Sequence, residues 1–259
     1  MKAIRLIMAA AAIAASLTSC NKKEIEAPSA GDTVKVRIHA GAVQTKTVFG
    51  EKEDSQYPVL WTTNKKVSIY VADNYPVKVL PDAAGASTTF TAELSSATNG
   101  VLRVFSPAGV YNSSDATKNE GGFTQTAIKS TDTYAYCIVP DKQTPLDGSC
   151  DEAAQLVAGS MDIPSTGVPE DIDLDFNLVN AFGKLVLKNV SSDALSQVTL
   201  TFPKSVAGTS IHYNYASGEL SNANVKVLTL NASEISKDAE GNFVLFFGVV
   251  PVELTTGKF

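Results

Sequence analysis

The sequence predicts an all-β protein of the sandwich type, arranged as two tandem domains with one short helix. Three observations carry that prediction. Apolar and polar residues alternate with a period of two in several short runs. Turn-forming pairs separate the runs, at Asp73-Asn74, Asn99-Gly100, Gly121-Gly122, Asp147-Gly148, Ser217-Gly218 and Gly241-Asn242. A single stretch carries helix signals. Many short strands with regular turns point to packed antiparallel sheets rather than a parallel sheet flanked by helices.

The chain opens with Lys2 and Arg5, followed by a run from Leu6 to Leu17 made almost wholly of Ala, Ile, Leu and Met. Thr18 and Ser19 then lead into Cys20. A charged start, an apolar run and small residues describe a secretory signal over residues 1–19. The apolar run is too short for a bilayer span, which needs roughly 20 residues. Leu17-Thr18-Ser19-Cys20 also fits the bacterial lipobox, in which Cys20 takes a diacylglycerol before cleavage. The acyl chains would anchor the mature chain, each buried methylene contributing about 0.8 kcal/mol. Residues 20–31 are polar and read as a tether.

Val34, Val36, Ile38 and Ala40 alternate with Lys35, Arg37 and His39, so one face of this first strand is apolar and the other polar. Phe90, Ala92 and Leu94 repeat the pattern, as do Val198, Leu200 and Phe202. Residues 67–71 and 101–105 also read as strands. The stretch from Phe243 to Phe247 is apolar on both faces, which predicts a central strand between two layers. Ser149 and Glu152 have capping-box spacing, residues Asp151 to Ala158 favour helix, and Gly159 is placed to end it. The weakest patterning runs from Asp162 to Asp173, where Pro164, Gly167, Pro169 and several acids cluster. The expected division is therefore an N-terminal sandwich over 32–167 and a C-terminal one over 168–259. The second is short and stops in a strand-like run, as a truncated domain would.

The formal net charge is −6, which argues against a nucleic-acid partner needing a basic face. His39 and His212 are the two histidines, and neither has zinc-site spacing. No nucleophile elbow, P-loop or dinucleotide fingerprint occurs. No cofactor, metal or catalytic role is expected. The acidic run from Glu170 to Asp175 lacks the central glycine of an EF-hand loop and reads as a solvated linker. Cys137 and Cys150 could pair in an oxidising compartment; the alternative is two separately buried free thiols. Trp61, the one tryptophan, stands at a strand-like position that favours the core over a sugar-stacking surface.

Taken in order, several stretches resemble the fimbrillin family of Bacteroidetes. They are the lipobox, Thr45-Lys46-Thr47-Val48-Phe49 after the first strand, Leu60-Trp61 before Val67-Ser68-Ile69-Tyr70, and Ser87 to Leu94. Pro140-Asp141-Lys142-Gln143 follows, then Leu174-Asp175-Phe176 through Asn180 to Leu187, Ser217-Gly218-Glu219-Leu220, and Gly248-Val249-Val250-Pro251. The resemblance implies two transthyretin-like Greek-key sandwiches, an outer-membrane lipoprotein at the cell surface or in a fimbrium, and adhesion as the role. It also implies partnership with other fimbrial subunits by strand exchange. In that scheme a protease removes the lipidated first strand, here Val34 to Ala40, at Lys46 or Arg37, and a neighbour's strand fills the groove. The family's processing residue is usually arginine, so Lys46 is a departure that suits a retained anchor or accessory subunit. The alternative function is a surface lipoprotein that captures glycans for nutrient uptake.

Overall fold

The computed structural model describes residues 33–41, 60–71, 76–108 and 134–253. The signal segment, Cys20, the tether and Lys46 lie outside them. In chain order the strands are β1 Thr33–Ala40, β2 Val67–Val71, β3 Val77–Val79, β4 Thr88–Ser95, β5 Val101–Ser106, β6 Tyr134–Val139 and β7 Lys142–Gln143. After a 3-10 turn at Glu152–Ala154 come β8 Val157–Asp162, β9 Asp171–Leu174, β10 Asn177–Leu178 and β11 Ala181–Leu187. The remainder are β12 Gln197–Thr201, β13 Gly208–Asn214, β14 Leu220–Ser221, β15 Val227–Asn231 and β16 Phe243–Val249. The predicted all-β sandwich class holds.

Three apolar cores organise these strands. The first joins the sheet β4-β1-β9 to one face of the sheet β10-β8-β5-β2-β3. Alternation builds it: Val36 and Ile38 of β1, Phe90 and Leu94 of β4, Val67 and Ile69 of β2, and Leu102 and Val104 of β5 all point inward. The opposite face of the five-stranded sheet, with Tyr70, Phe105 and Ala158, packs on β14-β13-β6 to form the second core. The sheet is thus covered on both sides, and β2 is buried at every residue. The third core lies between β11-β16 and β12-β15-β7.

Three sequence expectations are corrected. The helix expected over Asp151 to Ala158 shrinks to one 3-10 turn, capped by Asp151, whose carboxylate accepts from Ala153 N at 2.8 Å. Gln155, Leu156, Val157 and Ala158 are four consecutive buried residues, which a doubly covered strand satisfies and a one-sided helix does not. Gly159 does not end a helix. It lies within β8, where a Cβ would come 2.8 Å from the Asp175 carbonyl. The second correction concerns β16. Leu245 to Gly248 are buried in succession, so both faces are covered as expected, but the strand is not central: among the described residues it pairs with one named strand, β11. Thirdly, the acidic run is not a linker. Ile172 and Leu174 alternate with Asp171 and Asp173 to form β9, which adds parallel to β1.

Hydrogen bonding also runs across the expected division at 167/168 in both directions. β9 and β10 pair with β1 and β8, while β6 and β7 pair with β13 and β15. The described residues all fall within one compact unit.

Candidate assembly surfaces

Two places in the fold present strand edges or could release them. The first is β1. It pairs antiparallel with β4 from Thr33↔Ser95 to Ala40↔Thr88, and parallel with β9 from Arg37↔Asp171 to Ala40↔Leu174. Val36, Ile38 and Ala40 are buried to within 1%. On the outer face the Arg37 guanidinium donates to Asp171 at 2.9 Å. His39 Nε2 lies 3.3 Å from the same carboxylate, and its Nδ1 lies 3.2 Å from Thr89 Oγ1. The hydrogen bond from Arg37, then that from His39, holds the Asp171 carboxyl below its usual range, and Asp171 in turn raises Arg37. These groups are more than 40% exposed, so water screens the clamp. What fixes β1 is its ladder and its buried face. Arg37, an expected cleavage position, has its backbone N–H bonded to the Glu170 carbonyl at 2.7 Å. A protease reaches it only after β1 detaches, because proteases bind extended backbone through the groups the ladder uses.

The second place is a groove of about 780 Å³ between β11 and β12. Among the described residues each of these strands has one neighbour, β16 and β15 respectively. Apolar side chains line the groove, including Leu185, Leu200, Phe202, Val206, Phe247 and Val252. Leu185, Leu187, Val198 and Leu200 face the third core but stay half-buried. The Phe247 ring occupies the space that a Cβ at Gly183 would need, so glycine at 183 lets the ring lie flat against β11.

The outer edge of β16 is closed differently. Gln143 Oε1 accepts from Gly248 N at 2.9 Å, and Gln143 Nε2 donates to Gly248 O at 2.7 Å. A side-chain amide thus stands where a neighbouring strand's peptide would. Since Gly248 directs these groups away from β11, regular antiparallel pairing makes Lys184 and Val186 of β11 aim theirs away from β16. Asn180 does similar work, accepting from Leu156 N at 2.9 Å and donating to Ala154 O at 2.7 Å. Both residues lie in stretches that carry the resemblance, but neither role stands out in the sequence, because one Gln or Asn in a β protein looks like any surface polar residue.

The other predicted site residues lie elsewhere. Cys137 and Cys150 are buried free thiols, so the disulfide expected as one of two possibilities is not made. Burial pushes both thiols up, Cys150 to about 12. Trp61 is 2% exposed and packs edge-on against Phe90 at 5.2 Å and Phe176 at 5.1 Å. It offers no platform to a sugar, and the glycan-capture alternative loses its stacking residue. His212 packs on the Tyr136 ring at 4.4 Å and lies 3.0 Å from Asn222.

No family model matches the chain, and no curated protein matches it. Three solved structures align along most of its length. One, described as a "putative cell adhesion protein" from Bacteroides ovatus, is 12% identical, with a TM-score of 0.44, covering 86% of this chain and 79% of that one. A protein of the same description from Bacteroides fragilis is 14% identical, with a TM-score of 0.39, covering 83% and 78%. The fimbrial anchor protein Mfa2 from Porphyromonas gingivalis is 10% identical, with a TM-score of 0.37, covering 85% and 75%.

Proposed function

We propose that this chain is a lipid-anchored surface protein of the outer membrane. In this reading it is a structural or accessory subunit of a fimbria-like assembly that joins its partners by strand addition, supports adhesion and performs no catalysis. The observation that carries the reading is the placement of β1. This strand lies between β4 and β9 and fills the first core with Val36, Ile38 and Ala40. It is also the described strand nearest the lipobox at Cys20. Its departure would leave two strand edges facing each other over an apolar slot about 26 Å long, at about 3.3 Å per residue. Such a slot is costly when empty, because its backbone groups and apolar floor are left to water. A neighbour's extended strand with alternating apolar residues restores both kinds of contact.

Cys20 lipidation and a cut at Lys46 belong to this proposal. With lysine at the processing position, the uncut, membrane-held form is the expected resting state. The groove between β11 and β12 then gives the subunit a second edge through which a strand can be taken up without any cut. The test is expression of the full-length gene with its native export signal. Ladders that resist SDS and depend on a lysine-specific protease support strand exchange through β1. A product that stays strictly monomeric after residues up to Lys46 are removed would sink it.

A further inference from the structure

The loop before β2 and the segment entering β8 bring three reactive side chains together in the interior. Lys65 is 8% exposed and Gln155 is 2% exposed; Cys150 is 1% exposed. Lys65 Nζ donates to the Gln155 backbone carbonyl at 2.7 Å and lies 3.5 Å from the side-chain Oε1 of the same residue. Gln155 Nε2 lies 3.5 Å from the Cys150 carbonyl, and the amide is near enough to the Cys150 thiol to favour its ionised form slightly. The glutamine amide is therefore held at both ends. Its oxygen faces the lysine amine, and its nitrogen faces Cys150.

This is an unusual setting for a lysine. A buried ammonium ordinarily sits against a carboxylate. Asp151 and Glu152 are close enough to favour its charged form, but Asp151 is occupied by Thr144 N at 2.7 Å and Ala153 N at 2.8 Å, and Glu152 is exposed. Burial outweighs both and brings the Lys65 amine down to about 8, so a useful fraction is neutral and nucleophilic in mildly alkaline water. Burial acts oppositely on the neighbouring thiol and suppresses its thiolate, the nucleophilic form. Of the two nucleophiles beside the Gln155 carboxamide, the amine is the competent one.

We propose that Lys65 and Gln155 condense into an intramolecular isopeptide bond tying the loop before β2 to the strand entry of β8. The Nζ lone pair attacks Gln155 Cδ, and the Cδ–Nε2 bond breaks. The proton shed by Nζ passes to the departing nitrogen, which leaves as ammonia. Atoms and charge balance without an oxidant or co-reactant. Fixed proximity supplies the driving advantage, since two groups held in contact react as if at very high concentration. Exclusion of water protects the product from hydrolysis. The bond would close a chain segment of 90 residues and lock the flank of the doubly covered sheet. A surface subunit under tension would gain resistance to unfolding there.

The test is tandem mass spectrometry of a digest of the full chain. The expected result is a linked peptide pair joining Lys65 to Gln155, lighter by one ammonia than the sum of its parts. Labelling of the denatured protein with an amine-reactive ester should then modify the other lysines and spare Lys65. Recovery of Lys65 and Gln155 in separate peptides of full mass would overturn the proposal. So would an ammonia loss that maps to Cys150 and Gln155 and is released by hydroxylamine, the behaviour of a thioester. Because the wild-type protein decides the matter, a variant that fails to fold cannot obscure the answer. Lys65→Arg, which keeps the charge and cannot condense, should restore separate peptides.

Discussion

The first and third cores use the same alternation and reach different degrees of closure. In the first, the inward residues of β1 and β4, Val36, Ile38, Phe90 and Leu94, are buried to within 1%. In the third, Leu228 and Leu230 of β15 and Phe243 and Leu245 of β16 are equally buried, yet Leu185, Leu187, Val198 and Leu200 on β11 and β12 stay half-exposed. The side chains are alike; the neighbours differ. β1 has a strand on each side, whereas among the described residues β11 and β12 have a strand on one side only. An apolar stripe in the sequence therefore tells which face seeks burial, but not whether another strand will arrive to cover its edge.

The sharpest way to break the comparison is to open the closed core. Trp61→Ala removes a ring wedged between Phe90 and Phe176 and should cost about 3–5 kcal/mol, read as a lower denaturant midpoint. A loss below about 1 kcal/mol would mean that Trp61 is far less enclosed than its packing indicates. Next in size is Gln143→Ala. It strips the amide from the Gly248 N–H and carbonyl, two buried groups, at about 2–4 kcal/mol. Native-state hydrogen exchange should show the Gly248 amide among those whose protection falls most.

The open core should respond less. Leu200→Ala shortens a half-buried side chain at the groove and should cost about 1 kcal/mol. It should also reduce binding of a hydrophobic fluorescent dye, since the groove's apolar floor is what the dye would find. Gly183→Val tests the same groove by another route. It forces the Phe247 ring off β11 and should lower dye binding and strand uptake together. Unchanged dye binding in both variants would mean that the groove is not the exposed apolar surface of this molecule.

Much of this architecture could be read in advance, and the failures share one cause. β1, β4 and β12 were legible because a one-sided strand writes its burial as alternation. Asp171-Ile172-Asp173-Leu174 carries the same alternation, but its carboxylates and neighbouring prolines read as a boundary. β9 becomes a strand because β1 offers it an edge, which is information held 134 residues away. The helix expected at Asp151 failed similarly. Good helix formers and a capping residue are local signals, and burial of Gln155 through Ala158 on both faces overrides them. Arg37 was legible as a basic position in the first strand, but its engagement with β9 was not. Gln143 and Asn180 fall inside stretches that carry the resemblance, yet their roles and that of Lys65 were not legible, because those roles lie in which backbone groups happen to lack a strand partner.

The smallest effect belongs to the exposed clamp, and its sign can be fixed. In the folded chain the Asp171 carboxyl is held below its ordinary value, first by the Arg37 hydrogen bond and then by His39. Between the folded and unfolded values the unfolded chain binds more protons, so stability rises with pH across that window. The contribution is fully present above the ordinary carboxyl value of about 4 and is lost as pH falls through the depressed one. Asp171→Asn should therefore be slightly less stable than the parent at neutral pH, and the two denaturation curves should converge in acid. Molar salt should also bring them together, since it shortens the screening length to about 3 Å. A difference that persists in acid and in salt would mean that Asp171 holds β9 to β1 through backbone geometry rather than charge. Release of the first strand would then depend on its buried face alone.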